Sequence, residues 1–401
     1  MSTAFASRVQ SIQPSATLAV SQRAAELSAE GVDVISFGVG EPDFETPEHV
    51  REAAKAAIDR GSSHYTRVRG IEPLLRAIQA ESRRRRGGIA HETSEIIVSV
   101  GAKHTLFNLA MVLYEPGDEV LVPAPCWVSY PDQVRLFGAT PKILETSEAD
   151  GFRLRPEALA EAITERTKAL ILCSPSNPTG AAYPREQLRA LADVAKQKGD
   201  FWIIVDEIYG ELVYDGFDQR SLLEVAPELK HRLIIVDGVS KTFSMTGWRI
   251  GWALAPAPVV KAMDKIQGQS TTNPTAVAQH AAAAALAGDK GPVEAMRAAF
   301  AERRGVFIAG LDAIEGIRCR APEGAFYAFP NVQALIGRKA GGVTLTDDLA
   351  IARWLLEDAR CAVVPGSAFE APGYLRMSYA TSMEKLEEGL RRIREAVAKL
   401  E

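Results

Sequence analysis

Short apolar runs alternate with helix-like stretches from about residue 47 to residue 290, and this alternation limits the fold more than any other feature. Each run is too short for a helix and is bounded by polar or turn-forming residues, which is typical of a buried strand. Strands that alternate with helices form a mostly parallel sheet with helices on both faces. The sequence therefore predicts an α/β fold, with strands near 95–100, 118–122, 168–172, 201–205, 233–236 and 250–254.

The two ends of the chain follow another pattern. Long amphipathic helices are predicted at 292–311, 346–358 and 383–400, with short strands near 325–329 and 375–378. A chain of 401 residues is long enough for two domains. We expect a large domain at 47–290 and a smaller α+β domain formed by 1–46, which includes an N-terminal arm, together with 291–401.

Composition excludes several classes of protein. Hydrophobic residues make up 47% and charged residues 24%, the balance of an ordinary globular protein. The net charge of −5 gives no electrostatic footprint for nucleic acid. We interpret the one basic run, Arg83 to Arg86, as a solvated helix end. No nucleic-acid partner is expected.

The cysteines and the apolar segments suggest a cellular location. Cys126, Cys173, Cys319 and Cys361 are far apart and form no C-x-x-C pair, so neither a disulfide framework nor a zinc site is indicated. The six histidines are scattered and form no HExxH, so no metal is expected. The N-terminus has no apolar signal region, and nowhere do 18 apolar residues follow one another. We expect a cytoplasmic protein with no membrane partner.

One lysine follows the apolar run 233–236, in the segment Gly238-Val-Ser-Lys241-Thr-Phe-Ser-Met-Thr-Gly-Trp-Arg249-Ile-Gly251. Open α/β sheets bind ligands at the carboxyl ends of their strands, where this lysine is expected. Burial lowers the pKa of a lysine, and the neutral amine can attack a carbonyl to form a Schiff base. Residues 238–251 resemble the pyridoxal-phosphate lysine signature of the class I aminotransferases.

A phosphate site is predicted where the strand 95–100 runs into Gly101, Ala102 and Lys103. Apolar residues then recur at helical spacing, so a helix begins there, and its unpaired amides can bind an anion. In the family this helix start binds the cofactor phosphate, together with the arginine that matches Arg249. The resemblance also implies Ser240 as a cofactor-binding residue, although the family's usual serine lies three residues before the lysine, where this chain has Gly238.

The strand 201–205 is followed by Asp206 and, three residues later, Tyr209. Pyridoxal chemistry needs an acidic group at the pyridine nitrogen, because the protonated ring is the electron sink. Asp206 and Tyr209 match the family's residues for the ring nitrogen and the ring hydroxyl. The resemblance thus implies Lys241, Asp206 and Tyr209 as the catalytic group.

Other matches imply the substrate pocket. Asn177 stands in an Asn-Pro-Thr-Gly turn, where a cis Asn-Pro bond can form, and Trp127 matches an aromatic residue that stacks on the cofactor ring. Arg376 lies on a short apolar strand, and a strand-borne arginine suits an anionic ligand such as the α-carboxylate. Gly40, in a Gly-Glu-Pro-Asp-Phe turn, matches a glycine near that carboxylate.

Substrate choice and assembly are implied by four further positions. Tyr65 resembles the tyrosine that reaches the cofactor phosphate of a partner subunit, so a homodimer with shared active sites is expected. One branch of the family binds the distal carboxylate of aspartate with an arginine that this chain lacks before Asn273. Another branch uses a lysine at the phosphate helix with an N-terminal serine and threonine, matched by Lys103, Ser15 and Thr17.

The resemblance implies fold type I, with a mostly parallel seven-stranded sheet flanked by helices and a smaller α+β domain. It implies pyridoxal 5'-phosphate as cofactor and transfer of an amino group between an amino acid, such as aspartate, and a 2-oxo acid such as 2-oxoglutarate. A prephenate or aromatic aminotransferase and a lyase or decarboxylase on the same fold remain open alternatives. A nicotinamide dehydrogenase is disfavoured because no GxGxxG follows a strand.

Overall fold

The structure is a computed structural model that describes residues 5–12 and 16–401. Its largest unit is a sheet with strand order β2-β8-β7-β6-β5-β3-β4, in which β8 alone runs against its neighbours. These strands are β2 (Ile96–Ser99), β3 (Glu119–Ala124), β4 (Thr140–Glu145), β5 (Thr167–Cys173), β6 (Trp202–Asp206), β7 (Leu233–Gly238) and β8 (Gly251–Leu254). The mostly parallel seven-stranded sheet is therefore confirmed.

Shorter strands form three further sheets. One is antiparallel with order β13-β14-β9, one is the parallel pair β1-β12, and one is the antiparallel pair β10-β11. Their bounds are β1 (Ile35–Ser36), β9 (Tyr327–Ala328), β10 (Lys339–Ala340), β11 (Val343–Thr344), β12 (Cys361–Ala362), β13 (Val364–Pro365) and β14 (Leu375–Ser378). The strands predicted near 325–329 and 375–378 are thus present.

The α-helices of the described ranges alternate with the strands of the large sheet and then dominate the end of the chain. They are α1 (Ser7–Gln10), α2 (Ala16–Ala29), α3 (Glu48–Asp59), α4 (Glu72–Arg85), α5 (Ala102–Leu113), α6 (Ser129–Leu136), α7 (Pro156–Ala162), α8 (Arg185–Lys198), α9 (Leu222–Val225), α10 (Ala257–Gln267), α11 (Ala276–Ala287), α12 (Gly291–Asp312), α13 (Asp348–Glu357) and α14 (Met383–Val397).

Local sequence explains where two of the predicted helices begin. The Asp347 carboxylate accepts a hydrogen bond from the amide of Ala350 at 2.7 Å, which caps α13. The Ser382 hydroxyl accepts from the amide of Lys385 at 3.3 Å and caps α14. Each cap satisfies an amide that the first helical turn leaves without a partner.

The large sheet has a core on each face because neighbouring residues of a strand point to opposite sides. In β7, Ile235 packs with Leu188 of α8 in one cluster, whereas Ile234 packs with Leu109 of α5 in the other. A third cluster joins Phe37 to the helices at the end of the chain, and the rings of Phe37 and Phe307 lie 5.2 Å apart. We propose the same division that the sequence predicts: a large domain at 47–290 and a smaller domain formed by 1–46 and 291–401.

One strand was missed and one expectation was wrong. The strand β4 was not predicted, because it lies at the edge of the sheet and its partly exposed residues form no apolar run. The basic run is not a solvated helix end throughout. Arg83 and Arg84 are exposed, but Arg86 is 1% exposed and pairs with Glu207 and Asp237. Both carboxylates are distant in the sequence, so no local pattern could reveal them.

Among the helices of the described ranges, none has both the length and the apolar character needed to cross a membrane. The same residues contain no group of three or more His, Cys, Asp or Glu side chains that could hold a metal ion.

Candidate active site

A pocket of about 420 Å³ lies at the carboxyl ends of β6 and β7, where these strands meet the start of α5 and the strand β14. Most of the predicted site residues line this single pocket. They are Gly40, Ala102, Lys103, Trp127, Asn177, Asp206, Tyr209, Ser240, Lys241, Arg249 and Arg376.

Lys241 follows the buried strand β7, which delivers it to the pocket wall. Its Nζ donates a hydrogen bond to the backbone oxygen of Gly40 at 2.5 Å and has no carboxylate partner among the described residues. Burial lowers the pKa of Lys241 to about 8, and Glu41 only partly opposes that shift. A substantial fraction of this amine is therefore neutral, and nucleophilic, near physiological pH.

Asp206 is the last residue of β6 and is 3% exposed. One carboxylate oxygen accepts from the Tyr130 hydroxyl at 2.8 Å, and the other accepts from the amide of Ile208 at 3.1 Å. Burial raises the pKa of Asp206 to about 6, against the effect of these two hydrogen bonds. A carboxylate held in this way is suited to pair with a cationic group of a ligand in the pocket.

An anion cradle lies at the start of α5. Gly101 has φ 86°, and a Cβ added there would lie 2.5 Å from a guanidinium nitrogen of Arg249. A Cβ on Gly251 would lie 2.2 Å from the amide nitrogen of Ala102. Glycine at both positions therefore lets the guanidinium and the first amides of the helix converge. This combination of helix dipole, free amides and arginine binds a phosphate.

Arg376, on β14, is 3% exposed and has no carboxylate partner in the described ranges. Its guanidinium donates to Asn177 Oδ1 at 3.1 Å and to the backbone oxygen of Gly38 at 2.7 Å, while Nε has no partner there. The rings of Tyr327 and Phe369 lie 4.8 Å and 5.0 Å from it. Burial lowers the pKa of Arg376. A buried guanidinium without a carboxylate partner is suited to bind an anionic ligand.

The remaining predicted residues divide into two groups. Lys103 Nζ lies 4.9 Å from the centre of the Trp127 ring on the pocket wall, and the Asn177–Pro178 bond is cis. Tyr65 is 89% exposed and does not line the pocket of its own chain. Ser15 and the side chain of Thr17 lie outside the described residues.

Residues 32–393 match the sequence model of the family described as aminotransferase class I and II. The chain belongs to this family.

Characterised relatives span almost the whole aminotransferase chain. It is 47% identical to the aspartate aminotransferase of Geobacillus stearothermophilus, over 97% of this chain and 98% of that protein. It is 46% identical to the aspartate/prephenate aminotransferase of Cereibacter sphaeroides, over 95% of this chain and 96% of that protein.

Solved structures agree with the fold of this aminotransferase. The aspartate aminotransferase of Rhizobium meliloti superimposes with a TM-score of 0.96 at 43% identity, covering 99% of this chain and all of the other. The Thermus thermophilus aspartate aminotransferase with maleate gives a TM-score of 0.91 at 43% identity, covering 98% and 99%. The class I aminotransferase fold is therefore shown.

Aminotransferases of this class use pyridoxal 5'-phosphate, and the residues of the pocket fit that group. Lys241 is an amine of lowered pKa that can bond to an aldehyde, and Asp206 is a buried carboxyl group that could pair with the ring nitrogen. The cradle at Gly101, which a Cβ would fill, suits the phosphate. The protein is thus a pyridoxal-phosphate-dependent aminotransferase.

Sequence reasoning missed two tyrosines of this aminotransferase site. Tyr130, which donates to Asp206, lies on α6 three residues after Trp127, which precedes the helix, and the two rings lie 5.4 Å apart. Tyr327, whose hydroxyl lies 2.8 Å from that of Tyr209, belongs to the short strand predicted near 325–329. No signal in that strand distinguished it from a core tyrosine.

Proposed function

We propose that this aminotransferase moves the amino group of an acidic amino acid, with aspartate as the first choice, to a 2-oxo acid such as 2-oxoglutarate. One observation carries the proposal: besides Lys241 and Arg249, which are assigned to the cofactor, the pocket contains two cations, Arg376 and Lys103, that have no carboxylate partner among the described residues. A substrate with two carboxylates could satisfy both cations.

The division of work between these cations follows from their surroundings. Arg376 is deeply buried and its fork is held by Asn177 and Gly38, so it suits the α-carboxylate that every amino acid carries. Lys103 lies nearer the solvent, on the Trp127 ring, and suits a distal carboxylate. The solved relative with maleate supports this, because maleate is a dicarboxylate.

Prephenate is a second candidate acceptor, since this 2-oxo acid also carries two carboxylates and a relative at 46% identity is named an aspartate/prephenate aminotransferase. The ring of prephenate would need room beside Trp127, which is half-buried on the pocket wall. We therefore include prephenate among the 2-oxo acids to be tested as acceptors.

The chemical roles follow from the geometry. Bound pyridoxal phosphate supplies an electron-withdrawing ring that stabilises negative charge at the substrate's α-carbon. Lys241 would hold the cofactor and then take the proton from that carbon, a role suited to its pKa of about 8. Asp206 would keep the ring nitrogen protonated, and Tyr209 would donate to the ring hydroxyl. Ala102, Ser240 and Arg249 would hold the phosphate, and Trp127 would cover the ring.

A half-reaction screen tests the substrate class. Each amino acid is added to the purified holoenzyme and loss of the cofactor's resting absorbance is followed. We expect aspartate and glutamate to convert the enzyme with larger kcat/KM than alanine or phenylalanine. Faster conversion by neutral donors would overturn the proposal for acidic substrates, and no conversion by any donor would overturn transamination.

Lys103→Ala separates a substrate role of Lys103 from a cofactor role. If Lys103 binds the distal carboxylate, the variant loses kcat/KM for aspartate but not for alanine, by a few kcal/mol for the lost charge pair. If Lys103 only neutralises the phosphate, cofactor retention falls and all donors lose equally. In that second case the distal carboxylate would be assigned to Ser15 and Thr17.

We also propose a homodimer in which Tyr65 acts at the partner's phosphate site, which would explain why its ring is 89% exposed in one chain. Hybrids of Lys241→Ala and Tyr65→Ala subunits test this. A hybrid dimer then contains one site with both native residues and should recover cofactor affinity that neither parent dimer shows. Hybrids no better than the parents would exclude sharing. We also propose a cytoplasmic location, because the four cysteines indicate no disulfide framework and nowhere do 18 apolar residues follow one another.

A further inference from the structure

Tyr327 occupies the junction between the groups that hold substrate and those that hold cofactor. It is 1% exposed, on β9, and its ring lies 4.8 Å from the guanidinium carbon of Arg376. Its hydroxyl lies 2.8 Å from the hydroxyl of Tyr209, which is 3% exposed. The proposed mechanism gives Tyr327 no task.

The hydroxyl of Tyr327 is fixed in place by its neighbours. A Cβ added at Gly40 would lie 3.0 Å from it, so the backbone of residue 40 packs directly against this oxygen. The backbone oxygen of Gly40 in turn accepts from Lys241. Because the Tyr209 hydroxyl is the hydrogen-bond partner of the Tyr327 hydroxyl, rotation away from Tyr209 would leave a buried hydroxyl unpaired.

The direction of this hydrogen bond decides which proton is left for a ligand, because both tyrosines line the pocket. If Tyr209 donates to Tyr327, the Tyr327 proton is left, and it has no acceptor among the described residues. If Tyr327 donates to Tyr209, the Tyr209 proton stays free for a ligand in the pocket. Burial raises the pKa of both tyrosines, so both are neutral hydroxyls at physiological pH.

We propose that Tyr327 is a positioning residue: its hydroxyl donates to Tyr209 and so directs the Tyr209 proton to the cofactor's ring hydroxyl, while its ring supports Arg376. This inference rests on the proposed function, because it assumes that Tyr209 faces the ring. The hydrogen bond from Tyr327 also polarises the Tyr209 hydroxyl and makes it a stronger donor, as in other hydrogen-bond chains.

Tyr327→Phe tests the hydroxyl and keeps the ring beneath Arg376. The readout is the pH midpoint of the bound cofactor's absorbance change in the substrate-free holoenzyme. In this variant Tyr209 would be a weaker hydrogen-bond donor to the ring hydroxyl oxygen. That oxygen would then hold more tightly the proton that is lost in the absorbance change, so the midpoint should rise by roughly 0.4 to 1 pH unit. We expect kcat to fall roughly 2- to 12-fold with KM for aspartate nearly unchanged.

Two further variants make the test specific. Tyr379→Phe is the matched control, since Tyr379 is as buried and belongs to the same core cluster but bonds the backbone oxygen of Ala325 at 3.1 Å, outside the pocket. It should leave the midpoint unchanged. In a Tyr209→Phe background, adding Tyr327→Phe should shift the midpoint no further, because Tyr327 acts through Tyr209.

Each outcome decides the matter. An unchanged midpoint in Tyr327→Phe, or an additional shift in the Tyr209→Phe background, overturns the positioning role while leaving transamination intact. A wild-type protein that binds pyridoxal phosphate without any pH-dependent absorbance change overturns the assumed arrangement of Lys241 and Tyr209, and with it this inference.

Discussion

Arg86 and Arg376 are both almost completely buried, but their neighbours differ. Arg86, just after α4, donates to Glu207 at 2.7 Å and to Asp237 at 2.9 Å, so its charge is compensated within the chain. Among residues 5–12 and 16–401, Arg376 has only neutral acceptors, Asn177 and the backbone of Gly38. Burying a charge without a partner is costly, so the first arrangement stabilises the fold and the second preserves a binding site for an anion.

Arg86 also holds two carboxylates that lie close to pocket residues at the ends of β6 and β7. Glu207, which Arg86 holds, directly follows Asp206 of the pocket, and Asp237 lies in β7 shortly before Lys241. The amide of Glu207 donates to the backbone oxygen of Val236 at 2.9 Å, which joins the two strand ends. The ion cluster of Arg86, Glu207 and Asp237 therefore lies directly behind the pocket that contains Arg376.

The largest expected effect is on stability. Arg86→Met leaves Glu207 and Asp237 with less positive charge and should lower the free energy of unfolding by about 3–5 kcal/mol, because one partner of a buried ion cluster is lost. Urea denaturation of the holoenzyme measures this change. Arg83→Met is the matched control, since Arg83 is exposed on the same helix, and it should stay within about 0.5 kcal/mol of wild type.

Equal losses in the two variants would show that the Arg86 cluster is no more important than an exposed charge. The double variant Arg86→Met/Glu207→Gln sharpens the test, because it also removes one of the carboxylates that Arg86→Met leaves uncompensated. It should be more stable than the single variant.

The second effect is on substrate affinity. Arg376→Lys replaces a planar fork with a point charge, and a poorly paired carboxylate costs roughly 2–5 kcal/mol, so kcat/KM should fall about 30- to several-thousand-fold for every amino acid. Steady-state kinetics with aspartate and alanine measure it. If ligand-free Arg376→Lys instead unfolds as readily as Arg86→Met, with kcat/KM preserved, then Arg376 is a structural arginine and the comparison fails.

The contrast between these arginines also shows what the sequence could reveal. Six strands of the large sheet were predicted because each is an apolar run, and Lys241, Asp206 and Gly101 were located because they follow such runs. The partners of Arg86 are 121 and 151 residues away in the chain, so composition alone favoured a solvated run. Tyr130 and Tyr327 were missed for the same reason, since their partners are brought to them only by the folded sheet.

The smallest effect is on the pH dependence of stability. It concerns the carboxyl group of Asp206 in the pocket, next to Glu207, which pairs with Arg86. Because the folded pKa of Asp206 is about 6, above its ordinary value near 3.8, the folded cofactor-free protein binds more protons than the unfolded chain between these values. Stability from this group is present below about pH 4 and is lost as the pH rises through 6, by at most about 1.4 kcal/mol per pH unit.

Asp206→Asn should remove that decline, and the difference between the Tm profiles of the two cofactor-free proteins from pH 4 to 7 isolates it. Asp193→Asn is the control, because the hydrogen bond from Arg189 lowers the pKa of Asp193 below its ordinary value of 3.8, so its contribution is lost only below this pH window and the decline from pH 4 to 7 should remain. Added pyridoxal phosphate should abolish the Asp206 component, since a cationic ring nitrogen favours the ionised carboxylate. Identical profiles for wild type and Asp206→Asn would mean that burial does not raise the pKa of Asp206, and the pocket would then lack the carboxyl group that is expected to receive the ring nitrogen.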